Sequence, residues 1–306
     1  MISRVGITDS LTLEKRKEGD RFQVVEPAAT SVYQGLPVSK TIQPAVIGGT
    51  WFPKAPDAAI ASKTVFLYFH GGAFIQGDGR DAQCATIAKM LLTKGRADSV
   101  FSVQYRLSGY GGLNPYPAAL QDALSSYLFL LNVVHVPAKQ IVVAGDSAGG
   151  NLVTALLRYL AEHGAATGIP EPKCAVLISP WVAPFDYEMA GNPHLGTDFV
   201  PSSYGAWGAH SYGGGRPGAA ADPYITPLGN PFATSVPIFS SAGSAEIFYE
   251  RIVRWVDEMG AIDGNKVQIY HEKDAVHDTF FSAEMLGFEN SAWEVAAQIG
   301  EFVGRY

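Results

Sequence analysis

A chain of 306 residues, 47% hydrophobic and 17% charged, has ample apolar content for a packed core and is far from a disordered composition. Its net charge of −7 argues against a non-specific nucleic-acid surface and against a polybasic membrane patch. No stretch approaches the roughly 18 apolar residues of a membrane span, and Met1 to Asp20 lacks the apolar run of a secretory signal. The two cysteines, Cys84 and Cys174, make neither a disulfide framework nor a metal-ligand cluster, and both read as small buried hydrophobes. A reducing, cytoplasmic setting is the expectation that follows.

From residue 64 onward, strand-like and helix-like segments alternate. Thr64–Phe69 (TVFLYF) is short, aromatic and β-branched, which predicts a buried strand. Cys84–Lys94 has helical spacing of Ile87, Leu91 and Leu92, and Val100–Tyr105 predicts the next strand. Pro117–Leu131 predicts a helix with proline near its start. Ile141–Ala144 (IVVA) predicts a strand, followed by a helix over Leu152–His163 that Gly164 would end. Ala175–Ser179 and Val236–Ser241 predict strands, Ile247–Met259 a helix and Lys266–His271 a strand. Helices over Phe280–Met285 and Ala292–Phe302 close the chain. Near-continuous apolar strands alternating with helices indicate a mostly parallel sheet covered on both faces, with ligands bound beyond the strands' carboxyl ends.

Two stretches break the alternation. Residues 1 to about 60 lack a clear period, and residues 183–235 are glycine-rich yet carry Phe185, Tyr187, Phe199, Tyr204, Trp207 and Tyr212. Aromatics every few residues argue against disorder in so long an insertion, so both stretches are expected to form a cap on a single domain spanning 1–306.

Gly145-Asp146-Ser147-Ala148-Gly149 fits G-x-S-x-G, the strand-to-helix turn of a serine nucleophile, with IVVA before it and NLVTALLRYL after it. The helix start places free N–H groups behind Ser147, where negative charge would develop. His70-Gly71-Gly72-Ala73-Phe74 directly follows the TVFLYF strand. Paired glycines let backbone N–H groups approach a substrate, so the oxyanion donors are assigned to Gly71 and Gly72, with Ala148 as a third. His70 reads as a positioning residue.

A serine nucleophile needs a base, and imidazole suits proton transfer near neutral pH. In this fold class the acid and then the histidine follow the serine, which leaves His271 and His277. His271 ends a strand; His277 lies in the loop after it and is the better placed. Glu246, just after the Val236–Ser241 strand, is the preferred orienting carboxylate, with Asp186 as its rival and Glu250 a weaker candidate. Phe74, Asp146, Trp181, Tyr187 and Trp207, near these motifs or in the insertion, are expected to contact substrate.

HGGAF, YRL (105–107), PYPAALQD (115–122) and GDSAGGNL occur in the order that resembles the hormone-sensitive-lipase-like family of carboxylesterases; ISPW (178–181), DPYITPL (222–228) and GSAE ending at Glu246 resemble its later landmarks. The resemblance runs from about residue 64 to the end. It implies an α/β-hydrolase fold with a sheet of about eight strands, no cofactor and no metal, and the triad Ser147, Glu246 and His277. The sequence departs from the family where Ser108–Gly112 replaces a proline-acid-histidine segment, in having glutamate where the acid is most often aspartate, and in placing the aromatic after His277 one residue late, at Phe280.

The expected function is hydrolysis of small to medium apolar carboxylic esters through an acyl-enzyme. An amidase or acyltransferase would use the same triad. A non-catalytic small-molecule receptor on this fold is the reading from a different class. A small-molecule ester is the expected partner, with no nucleic acid and no membrane span; a homodimer is compatible with the sequence.

Overall fold

The computed structural model describes residues 12–35, 41–109, 113–187 and 191–306. Eight strands form one sheet in the order β1-β2-β4-β3-β5-β6-β7-β8. They are β1 (Phe22–Val25), β2 (Ile47–Phe52), β3 (Val65–Phe69), β4 (Ser99–Gln104), β5 (Ile141–Asp146), β6 (Cys174–Ile178), β7 (Ile238–Gly243) and β8 (Val267–Glu272). β2 pairs antiparallel with β1 and β4, and every pairing from β4 through β8 is parallel. The expected mostly parallel sheet is therefore present. Strand order reverses at β3: the chain steps outward to β4, then returns to the other side for β5. Such a switch opens a crevice at the carboxyl ends of β3 and β5.

The helices are α1 (Asp81–Thr93), α2 (Ala118–Asn132), α3 (Ala148–Thr167), α4 (Ser202–Gly213), α5 (Tyr249–Gly260), α6 (Thr279–Leu286) and α7 (Glu289–Val303). Alternate strand residues feed two cores. Val65, Leu67 and Phe69 face the core built with α2, α3 and α5, while Phe66 and Tyr68 face that built with α1, α6 and α7. In α5, Ile252, Trp255, Val256 and Met259 repeat at helical spacing and are the buried positions. Residues 118–130 of α2 are buried all round. Helix α3 runs past Gly164, which is buried within it, and stops at Gly168 in the left-handed conformation (φ 69°).

The described part of the N-terminal stretch does not form a cap. Its two strands extend the sheet, and glycine hid the second of them. A Cβ on Gly48 would lie 2.3 Å from the Phe22 ring, and one on Gly49 would lie 2.4 Å from that of Phe101. Residues 1–11, 36–40 and 188–190 of the expected cap, and residues 110–112 of the segment after YRL, lie outside the described residues. Within 183–235, α4 lies against the loop after β3 and lines the cavity there. Its glycines gave it a weak helical signal, but a Cβ on Gly208 would sit 2.6 Å from the Ala73 carbonyl oxygen. Glycine lets this helix rest directly on the loop after β3.

Helix α7 is equally tight against the turn after α1, where a Cβ on Gly300 would lie 2.0 Å from the Lys94 carbonyl oxygen. Gly300→Ala is expected to lower stability by about 1–3 kcal/mol through overpacking, read as a lower midpoint in urea unfolding.

Candidate active site

The carboxyl edge of the sheet concentrates unusual backbone. Ala73 and Phe74 after β3, Ser147 after β5, Ser179 after β6 and Asp278 after β8 all have positive φ, between 43° and 62°. Each such non-glycine residue costs about 1–3 kcal/mol and persists only where its surroundings fix it. At the β5–α3 turn the fixing is steric. A Cβ on Gly149 would come within 1.9 Å of the Phe69 carbonyl oxygen, and one on Gly145 within 2.5 Å of Gly149 itself. The small residues of G-x-S-x-G let α3 back onto the end of β3, and Ser147 (φ 49°, ψ −115°) is pushed out at the apex.

Ser147 Oγ lies 2.9 Å from His277 Nε2, and His277 Nδ1 lies 3.0 Å from Glu246 Oε2. Glu246 and His277 are both buried. Neither rival carboxylate approaches this line: Asp186 pairs with Arg251 at 2.6 Å and Glu250 lies 3.4 Å from His194. His271 instead meets the Tyr249 hydroxyl at 3.0 Å. Asp198, from the insertion, was not anticipated. It accepts the backbone N–H of Ile247 at 2.9 Å and that of His277 at 3.3 Å, tying the acid and histidine loops together. Burial alone would depress the His277 imidazolium, but the Glu246 hydrogen bond and charge outweigh it and hold this histidine above its ordinary value.

One oxyanion assignment changes. The Gly71 N–H donates to Asp146 Oδ2 at 2.8 Å, so it does not face an incoming ligand. Among the described residues the N–H groups of Gly72 and Ala73 have no protein acceptor, and Ala148, first residue of α3, carries an N–H without an intrahelical one. The available donors are therefore those of Gly72, Ala73 and Ala148. His70 is fully buried, and burial pushes its imidazolium below the ordinary value. Its Nδ1 lies 2.7 Å from the Gly71 carbonyl oxygen and its ring stacks on Tyr105 at 4.3 Å.

A cavity of about 530 Å³ opens on Ser147 and His277. Of the five residues expected to touch substrate, Asp146 and Trp181 line it. The other three do not. Phe74 is wholly buried and stacks on Tyr212 of α4 at 3.7 Å, Tyr187 meets His210 at 2.9 Å, and Trp207 packs half-buried against the core. Aromatic residues in the insertion thus fasten α4 as well as furnish the cavity. Phe199, Tyr204, Phe248 and Phe281 supply the walls instead. Asp78, Asp146 and Asp278 also line the cavity, while no lysine or arginine does so among the described residues.

Most recognisable motif residues turn out to be scaffold. Tyr105 donates to the His70 carbonyl oxygen at 2.6 Å, and Arg106 pairs with the buried Asp122 at 2.8 Å. Asn151 donates to the Trp181 and Ile225 carbonyl oxygens at 2.8 and 2.9 Å, joining α3 to the ISPW and DPYITPL segments. Both cysteines are buried free thiols, and burial raises that of Cys174 to about 12. No described helix is long and apolar enough to cross a membrane.

Comparison with known proteins agrees with this architecture. A family model described as alpha/beta hydrolase fold matches residues 66–281. The chain belongs to the alpha/beta hydrolase family, in its hormone-sensitive-lipase-like group. A hormone-sensitive lipase from a metagenome library superimposes with a TM-score of 0.68 at 27% identity, over 85% of this chain and 82% of that one. EstE7, a homologue from such a library, gives 0.67 at 28% identity over the same shares. Esterase LipI of Mycobacterium tuberculosis is 37% identical over 37% of this chain and 34% of its own length. Ethyl acetate hydrolase of Pseudomonas putida is 32% identical over 42% and 38% respectively. The matched region thus spans only about a third of these two relatives' own length.

Glu246→Gln removes the charge that lifts His277 while leaving its shape. Its imidazole is expected to titrate at lower pH than in the wild type, a shift that NMR of the ring protons measures directly.

Proposed function

We propose that the chain is a serine carboxylesterase that hydrolyses small to medium, uncharged, apolar esters through an acyl-enzyme. The observation that carries this reading is the continuous Ser147–His277–Glu246 hydrogen-bonded line opening into a cavity. His277 Nε2 takes the Ser147 proton as Oγ attacks the ester carbonyl, and the Glu246 carboxylate, accepting a hydrogen bond from Nδ1–H, stabilises the imidazolium that forms. The carbonyl oxygen, now anionic, rests on the N–H groups of Gly72, Ala73 and Ala148, each donor being worth about 3–4 kcal/mol in the transition state. The imidazolium then protonates the departing alcohol. A water, deprotonated in turn by His277, releases the acid and restores Ser147.

Support for the substrate class comes from the cavity. Its volume of about 530 Å³ falls within the range for small-molecule sites, and Trp181, Phe199, Val200, Tyr204, Phe248 and Phe281 make its walls largely apolar. Asp78 and Asp146, with no lysine or arginine beside them in the described lining, disfavour an anionic acyl group or alcohol. The ethyl acetate hydrolase of Pseudomonas putida, a relative of this chain, points the same way. The intact proton line disfavours the non-catalytic receptor, and the buried free thiols support the expected reducing, cytoplasmic setting.

Ser147→Ala is expected to keep its fold and to lose roughly 10⁴- to 10⁶-fold in kcat/KM. A fluorophosphonate should label the wild type stoichiometrically and this variant not at all. On p-nitrophenyl esters from acetate to palmitate, short and medium acyl groups should turn over fastest; fastest turnover of palmitate would refute the substrate class. Esters, amides and alcohol acceptors assayed together separate hydrolysis of esters from amidase and acyl-transfer chemistry. A carboxylate-bearing hemiester should be a poorer substrate than its uncharged analogue of equal length.

A further inference from the structure

Behind Ser147 and His277 lie two carboxyl groups that the reaction itself does not use. Asp146 precedes the serine, Asp278 follows the histidine, and both side chains are buried. They hydrogen-bond each other, an arrangement open to two carboxyl groups only when a proton lies between them. The donors around them say which one carries it. Asp146 Oδ1 accepts the Tyr68 hydroxyl and Oδ2 accepts the Gly71 N–H, so both of its oxygens are placed as a carboxylate's would be. Among the described residues the Asp278 carboxyl receives only a long contact from the Phe281 N–H at 3.4 Å, while the residue's own N–H donates to Ser179 Oγ at 3.2 Å. Its backbone is held at φ 51°, ψ 68°, which turns the side chain inward at the start of α6.

We propose that Asp278 is a neutral carboxylic acid that donates its proton to the Asp146 carboxylate, and that this acid–carboxylate bridge is a positioning device for the active site. Asp146 holds Gly71, and through it the Gly72 and Ala73 donors; Asp278 adjoins His277. The bridge therefore locks the loop after β3 to the loop after β8, across the turn that bears Ser147. Its catalytic consequence rests on the esterase reading, whereas the shared proton does not.

The surroundings favour one proton on the pair. Tyr68 and His70 face it from β3 and the loop beyond, Asp78 from the same loop, Cys84 from α1, and Tyr105 from the end of β4. Glu246 and His277 face it from the loops after β7 and β8. None of these is a fixed cation that could stabilise a second carboxylate. Burial first, and then the Asp146 charge and hydrogen bond, push the Asp278 carboxyl well above the ordinary range. Raising the pH eventually strips this proton into the cavity that Asp278 lines, leaving two carboxylates that repel and a β3 loop no longer held to His277.

Asp278→Asn tests the bridge, since an amide donates to Asp146 without a titratable proton. Infrared spectra of the wild type at about pH 8 should show a buried carboxylic-acid carbonyl band that Asp278→Asn lacks. Because Asp278 ionises freely at about pH 4 when unfolded and stays neutral when folded, wild-type stability falls as pH rises above that point until the folded group ionises. The Tm of Asp278→Asn minus that of the wild type should therefore widen between about pH 5 and pH 8. In turnover, Asp278→Ala should lose about 10- to 100-fold in kcat with KM little changed. The asparagine variant should recover most of that loss and lack the wild type's reversible alkaline decline. A carbonyl band retained in Asp278→Asn, or absent from the wild type, overturns the shared proton, as does a Tm difference independent of pH. Equal kcat values for the alanine and asparagine variants overturn the positioning role. The infrared and Tm arms need no substrate, so they report even if ester turnover is absent and the esterase reading itself fails.

Discussion

A hydroxyl, an imidazole and a carboxylate meet in one line although the serine and histidine stand 130 residues apart and the histidine and glutamate 31. That meeting depends on the parallel sheet. Because β3, β5, β6, β7 and β8 are parallel and all end at one edge, the turns that follow them share one rim. The loop after β3 brings the Gly72 and Ala73 N–H groups, that after β5 the serine and the Ala148 N–H, that after β7 the glutamate and that after β8 the histidine. Backbone strain at Ala73, Ser147, Ser179 and Asp278 is the local cost of crowding these turns. Two packed cores, one on each face of the sheet, hold the rim in shape.

The motif residues divide into those that face the cavity and those that hold the facing residues still. Gly145 and Gly149 work by absence of side chain, and Gly71 by fixing its N–H on Asp146. Tyr105, Arg106, Asp122 and Asn151 act as fasteners: Tyr105 and Asn151 hold segments of the rim, and Arg106 ties the chain after β4 to Asp122 of α2. Asp198 shows the same logic in the insertion, where a single carboxylate spans the glutamate and histidine loops. Residues 183–235 thus do more than cover the cavity.

Strands β3 to β7 were legible because they are buried on both faces and read as short apolar runs, and the site residues were legible because chain order and strand ends confine them. What escaped has physical causes. In β2 and α4 glycine replaces the expected side chains, since aromatic rings or backbone lie where a Cβ would be. Phe74, Tyr187 and Trp207 were assigned to substrate on their aromatic character, but an aromatic ring serves equally to pin a cap helix, and only the fold decides between the two. Gly71 was expected to face the ligand because nothing local reveals that its N–H points at Asp146. Nothing in the sequence around Asp278 marks its burial, which arises only in the fold.

A structure of the protein inactivated by an alkyl phosphonate bears most directly on the whole account. The phosphorus should be bonded to Ser147 Oγ, with its oxygen at about 2.7–3.1 Å from the N–H groups of Gly72, Ala73 and Ala148. Gly71 should remain on Asp146. An adduct on a different side chain, or a phosphonyl oxygen turned away from those three donors, would contradict the site as described.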